Sequence, residues 1–155
     1  MYIFDTSSLK QLFKFYPKRF PSLWQKFGNL MDSKKIISVK EVLNEIENYG
    51  DNDELKNWAK ENKAFFQIPT SDEALFISKI YQVKHFQQGL ESKKLLKGGS
   101  FADPFLVAKA KITDATLITE EKFKPNGTKI PNICKHFEIK CKDLEEFMEQ
   151  EHWSF

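Results

Sequence analysis

Apolar positions along the chain fall into short unbroken runs separated by longer stretches of three-to-four-residue spacing, the pattern of buried strands alternating with amphipathic helices. The first run, Tyr2-Ile3-Phe4, starts almost at the first residue and ends at Asp5, which predicts a central strand. Thr6, Ser7 or Ser8 can cap a following helix that carries Leu9, Leu12, Phe13 and Tyr16 on one stripe and is ended by Pro17. A second helix is predicted from about Pro21 to Met31, with Leu23, Trp24, Phe27 and Leu30 facing inward. Lys35 to Val39 reads as the next strand, followed by a helix with Val39, Val42, Leu43 and Ile46 on one stripe and a Tyr49-Gly50 stop.

Further on, Asp51 to Asp53 can cap a helix running through Leu55, Trp58, Ala59 and Phe65, and Phe66 to Pro69 reads as a short strand or extended connection. Thr70, Ser71 or Asp72 starts a helix with Leu75, Phe76, Ile80 and Val83. Paired glycines in Leu95-Leu96-Lys97-Gly98-Gly99-Ser100 break the pattern, and Asp103-Pro104 restarts it through Leu106, Val107 and Ala110. Ala115 to Thr119 is the clearest later strand. After a polar Pro125-Asn126-Gly127 loop come Ile130 to Ile133, a last strand His136 to Cys141, and a final helix Lys142 to Gln150. The alternation predicts an α/β layer sandwich with a mainly parallel sheet, with no repeat and no linker.

Composition then bounds the size of the core. Fifteen Phe, four Tyr and three Trp in 155 residues supply enough ring surface for a single domain over 1–155 that folds without covalent staples. Cys134 and Cys141 lack the partners of a structural zinc site and read as reduced thiols. Twenty-four Lys+Arg against 22 Asp+Glu exclude a uniformly basic, nucleic-acid-coating protein but not a local basic patch. With neither a basic leader nor a long apolar run, the expectation is a cytoplasmic protein without membrane contact.

Ligand sites in open α/β sheets lie beyond the carboxyl ends of the strands, which singles out Asp5, Glu45, Asp103 and Glu121. Carboxylates crowded together repel unless a cation sits among them. An all-oxygen set without His or Cys suits Mg²⁺ or Mn²⁺ better than zinc. Each acid also has a plainer explanation. Asp5 can cap the first helix, and Asp103 before Pro104 has the form of an N-cap with proline at the first helical position. Glu45 and Glu47 both flank the apolar stripe of their helix while Glu41 lies further round, so periodicity does not choose between them. Glu120 and Glu121 are adjacent and point to different sides; Asp114 belongs to a helix-to-strand turn. Lys93, Lys94 and Lys97 lead into the glycine turn and form either a basic lip for a polyanion or a solvated helix face. Lys10, Lys14, Lys18 and Arg19, the chain's single arginine, make a second basic stretch. The neighbouring Phe13, Phe15, Tyr16 and Phe20 are more simply core or a dimer face than a base-stacking platform, and Trp153-Ser154-Phe155 is expected to fold back onto the domain.

Four stretches together carry a resemblance: Tyr2-Ile3-Phe4-Asp5-Thr6-Ser7, Ile37-Ser38-Val39 running into Glu45-Ile46, Ala102-Asp103-Pro104-Phe105-Leu106-Val107-Ala108, and Leu117-Ile118-Thr119-Glu120-Glu121-Lys122-Phe123. In order and spacing the chain resembles the PIN domain family of metal-dependent ribonucleases, which includes the VapC-type toxins, and within it a PIN-like bacterial family of uncharacterised function. The resemblance implies a three-layer α/β/α fold around a mainly parallel sheet. It places the acidic set on Asp5, Glu45, Asp103 and Glu121, choosing Glu45 over Glu47, with Ser7 and Thr119 in support. It implies Mg²⁺ or Mn²⁺, endonucleolytic cleavage of single-stranded RNA, an antitoxin partner and a homodimer. Their charge, not the resemblance, makes Lys93, Lys94, Lys97 and Arg19 the candidate RNA contacts, Arg19 for a phosphate or an acidic partner. Many members have aspartate where Glu121 stands. That longer side chain would reach a second ion more weakly or through water, and it keeps open the alternative of a PIN-like module that binds RNA or protein without cutting.

Overall fold

The computed structural model describes residues 1–98 and 101–155. Five strands, β1 (Tyr2–Phe4), β2 (Ile36–Val39), β3 (Phe66–Gln67), β4 (Thr116–Ile118) and β5 (Cys141–Lys142), form one sheet in the order β3-β2-β1-β4-β5. Every neighbouring pair is parallel, with Ile3 opposite Ile37 on one side and Leu117 on the other. β1 is therefore central, and its three residues are buried, as its unbroken apolar run requires.

Nine helices are described: α1 (Thr6–Leu12), α2 (Pro21–Asp32), α3 (Lys40–Tyr49), α4 (Asp53–Glu61), α5 (Ser71–Gln82), α6 (Lys84–Leu96), α7 (Asp103–Thr113), α8 (Ile130–His136) and α9 (Leu144–Gln150). They cover the two faces of the sheet in an α/β/α sandwich. Phe4 sends its ring toward Phe27 of α2 and Phe147 of α9, with centroids 5.5 and 5.1 Å away. Helix α7 packs against β1, β2 and β4. From Phe27 an edge-to-face series of rings continues through Trp24, Phe13, Trp58, Phe65 and Phe66, which is where much of the aromatic content goes. Trp153 folds back onto Phe147 at 5.2 Å. No helix among the described residues is long and apolar enough to cross a membrane.

Several boundaries differ from the sequence expectation for local reasons. α1 stops at Leu12 rather than Tyr16: the chain tightens into a turn, the indole N–H of Trp24 takes the Phe15 carbonyl at 2.6 Å, and Tyr16 is exposed. The spacing predicts one helix up to Val83; α5 and α6 instead meet at an extended Val83, and Leu75 is exposed. Asn52 supplies the cap of α4, which ends at Glu61 and passes into a 3-10 turn, Lys63–Phe65. The strand expected over His136 to Cys141 is largely helix and turn. Pro131 lies in the first turn of α8, Glu138 takes φ 58° behind the helix, and the Ile139 N–H closes onto the Cys134 carbonyl at 2.8 Å, a Schellman-type stop. Only Cys141–Lys142 pair in the sheet, and Asp143 then caps α9 with a reciprocal bond to Glu146, so that helix starts at Leu144. Gly98, at φ 70°, follows the end of α6 as the glycine turn predicts; Gly99 and Ser100 lie outside the described residues.

A buried ion pair joins α5 to α7. Glu73 Oε2 accepts from the Thr70 N–H at 2.6 Å within a capping box, while Oε1 lies 2.7 Å from Lys109 Nζ outside hydrogen-bonding alignment. The ammonium also donates to the Ile68 carbonyl at 3.3 Å. Both side chains are almost wholly buried, so losing one leaves an uncompensated charge in the interior. Lys109→Met is expected to destabilise the domain by about 3–5 kcal/mol in a urea titration. Adding Glu73→Gln, which preserves the capping box, should recover most of that loss.

Candidate active site

Asp5 sits where β1 ends. Its backbone N–H donates to the Ile118 carbonyl of β4 at 3.0 Å, and at ψ 177° the chain turns into α1 with Asp5 itself as the N-cap, Oδ1 accepting from the Ser8 N–H at 2.7 Å. The hydroxyls expected to cap are thereby released for other work. Ser7 Oγ lies 2.8 Å from both carboxylate oxygens, and Thr119 Oγ1 donates to Oδ2. The same two hydroxyls accept from the backbone N–H groups of Glu120 and Glu121 at 2.9 and 3.1 Å, so they stitch the loop after β4 to Asp5.

Glu45 lies on the inner side of α3 and is buried, whereas Glu47 is exposed. Its Oε2 accepts from Thr6 Oγ1 at 2.6 Å and its Oε1 from the Ala102 N–H at 2.8 Å, joining α1 to the start of α7. Asp103 is the first residue of α7 and does not cap it: Ala102 holds the N-cap position, without a side-chain bond. The Asp103 carboxylate turns instead to the Lys93 ammonium of α6. Glu121 Oε1 is 3.6 Å from that same ammonium, while Oε2 accepts from the Ile130 N–H of α8 at 3.1 Å. Glu120 points elsewhere, accepting from the Leu144 N–H at 2.8 Å.

The four carboxylates of Asp5, Glu45, Asp103 and Glu121 line one pocket of about 210 Å³. Ser7, Lys93 and Lys97 line it too, the last with its ammonium 3.7 Å from Glu45 Oε1. Thr119 reaches Asp5 from behind rather than through the wall. Lys94 and Arg19 are exposed and are not part of the lining. Besides the apolar Leu106, three wall residues have no role in the site expected from sequence. Thr6 holds Glu45, Lys10 is on the wall, and Tyr49 donates to the Lys97 carbonyl at 2.8 Å, tying the end of α6 over α3. Only the hydroxyl beside Asp5 and the lysine one turn further along α1 left any trace in the sequence.

Burial pushes the Asp5 carboxyl up to about 6, against the pull of its bonds from Thr119, Ser8 and Ser7. Asp103 is also pushed up to about 6, first by burial and then by Glu121 and Glu45, with Lys93 opposing. Burial lowers Lys93, but Asp103 and Glu121 more than offset it and its ammonium is held above the usual lysine range. Carboxylates and hydroxyls are the donors a hard divalent cation takes, so the set fits Mg²⁺ or Mn²⁺ in chemistry. Among the described residues no three acidic, His or Cys side chains stand in a ready-made ligand arrangement. Lys93 stands between Asp103 and Glu121, and Glu45 is committed to Thr6 and Ala102.

Fold and pocket together define an α/β/α domain with an acidic pocket beyond the carboxyl end of its central strand. The chain belongs to the family described as Domain of unknown function (DUF4411), which matches residues 2–155. No curated protein matches it.

The raised Asp5 carboxyl has a consequence for stability. The folded protein holds a proton there that the unfolded chain gives up at its ordinary value of 3.8, so the contribution is complete below that pH and is lost as pH rises through about 6. Asp5→Asn removes the titration. In chelator, the stability of the native protein relative to this variant should fall by roughly 2–3 kcal/mol between pH 4 and pH 7, read from paired urea titrations. A difference independent of pH would contradict the burial argument.

Proposed function

We propose that this domain is a divalent-metal-dependent endoribonuclease of the PIN type, acting on single-stranded RNA. The observation that carries the reading is the convergence of Asp5, Glu45, Asp103 and Glu121, from four separate stretches of chain, on one pocket beyond the carboxyl end of β1. Asp5 and Asp103 would hold the ion directly, and Glu45 and Glu121 would complete the site directly or through water. The chemistry supplied at that position would be activation of an attacking water and stabilisation of the leaving oxygen of a phosphodiester. Ser7 and Thr119 fix the Asp5 carboxylate so that its orientation does not have to be found on binding. Lys93 and Lys97, at the wall, would meet phosphate oxygens once free of their carboxylate partners. Together with the order of the motifs along the chain, the reading extends to a cytoplasmic homodimeric toxin held by an antitoxin.

A second reading is favoured by one contact. An ammonium between Asp103 and Glu121 already neutralises part of the acidic set, as it would in a PIN-like module that binds RNA or protein without cutting it. Cleavage assays on single-stranded RNA separate the two. With Mn²⁺ or Mg²⁺ the native protein is expected to cut, and Asp5→Asn or Asp103→Asn to lower the rate by on the order of 100-fold or more while the fold is retained. Cleavage that survives both substitutions and chelator would defeat the enzyme reading. RNA binding without any cleavage would establish the second.

A further inference from the structure

The pocket contains its own cations. Four carboxylates and three lysines, Lys10, Lys93 and Lys97, line it, so with every group ionised its net charge is only −1. Lys93 contacts Asp103 and stands 3.6 Å from Glu121, while Lys97 stands 3.7 Å from Glu45. Lys93 also lies over the Phe101 ring, 5.3 Å from its centroid, a cation–π contact beside its acidic partners. An ion bridging Asp103 and Glu121 would lie beside that ammonium, where like charges repel strongly because the surroundings are poorly solvated.

We propose that the end of α6 is a tethered counter-cation that competes with the divalent ion: Lys93 foremost, and Lys97 to a lesser degree, must leave the carboxylates for the ion to bind. The inference rests on the metal-dependent reading of the pocket and adds a regulatory step to it. The design of α6 suits such an exchange. Phe86 and Leu90 anchor its first turns in the core, whereas Leu95 and Leu96 in its last turn are 83% and 88% exposed. Little apolar burial therefore holds the lysine-bearing end; among the described residues a hydrogen bond from Tyr49 to the Lys97 carbonyl and the Lys97–Glu45 pair itself fasten it to α3. Withdrawal of the two ammoniums would leave them at the pocket mouth, where a polyanion would gain them as partners. Ion binding and polyanion binding would then favour one another by the same factor.

Calorimetric titration of Mn²⁺ into chelator-stripped protein tests the exchange without any measurement of cleavage. Lys93→Met is expected to bind Mn²⁺ roughly 5–150-fold more tightly than the native protein. Lys93→Arg, which keeps the charge, should stay close to native affinity. If Lys93→Met does not fold, Lys97→Met carries the test from a more exposed position, with a smaller tightening expected. Equal or weaker binding in the folded Met variant, with the native protein binding Mn²⁺, would overturn the exchange and leave the metal reading standing. Binding by neither protein would overturn both.

Discussion

Everything distinctive about this domain follows from placing carboxylates where water is scarce. Asp5, Glu45 and Asp103 are all less than a tenth exposed, and an ionised carboxylate in such a place is tolerated only with compensating donors or cations. Each of the three is compensated differently. Asp5 takes hydroxyls and the first turn of a helix, Glu45 takes a hydroxyl and a backbone N–H, and Asp103 takes an ammonium. Those bonds also hold the architecture together, since they join β1 to the loop after β4, α1 to α3, α3 to α7, and α7 to α6. The cost of burying charge has been turned into cross-links between elements.

The topology explains why the acids meet. From β1 the chain moves outward through β2 and β3, then returns past β1 to place β4 and β5 on its other side. The crevice between β1 and β4 is the point at which that order reverses, and parallel strands present their carboxyl ends to it together. The apolar run ending at Asp5 marks a central strand and the run ending at Thr119 a further one, because strands buried on both faces have an unbroken apolar pattern; that the two are neighbours shows only in the sheet order. The α/β/α sandwich follows from the same alternation.

Other features were hidden for physical reasons. Periodicity could not separate Glu45 from Glu47 because both lie at the margin of the apolar stripe, and only the arrival of Thr6 and Ala102 from distant parts of the chain buries one of them. Asp103 has the sequence form of a cap because Asp-Pro at a helix start usually is one; the first bond of α7 runs from the Leu106 N–H to the Ala102 carbonyl, which puts Asp103 inside the helix, and its carboxylate turns to the Lys93 ammonium. The turn after α8 has the sequence pattern of a strand because Phe137 to Cys141 is apolar at alternate positions, and nothing local announces that Glu138 takes a left-handed conformation. The lysines of α6 presented the hardest case, since a basic run on a helix is equally a solvated face until its tertiary neighbours are known.

Helix α7 shows how the same chemistry can have opposite consequences. It carries one member of each of two lysine–carboxylate pairs: Asp103 at its start, with Lys93, and Lys109 further along, with Glu73. In the second pair both side chains are sealed, 4% and 2% exposed, so neither partner can be replaced without opening the interior, and the pair acts as a fixed tie between α5 and α7. In the first the acid is sealed at 7% but the lysine is 28% exposed and borne on a helix end with little burial behind it. The acid there is held by its surroundings more closely than its cation is. Under the proposed exchange such a pair would be a binding site holding a provisional occupant, and a tighter-binding cation would replace the ammonium at the cost of little more than the last turn of α6. The fixed tie on α7 is what would keep Asp103 in register during that exchange.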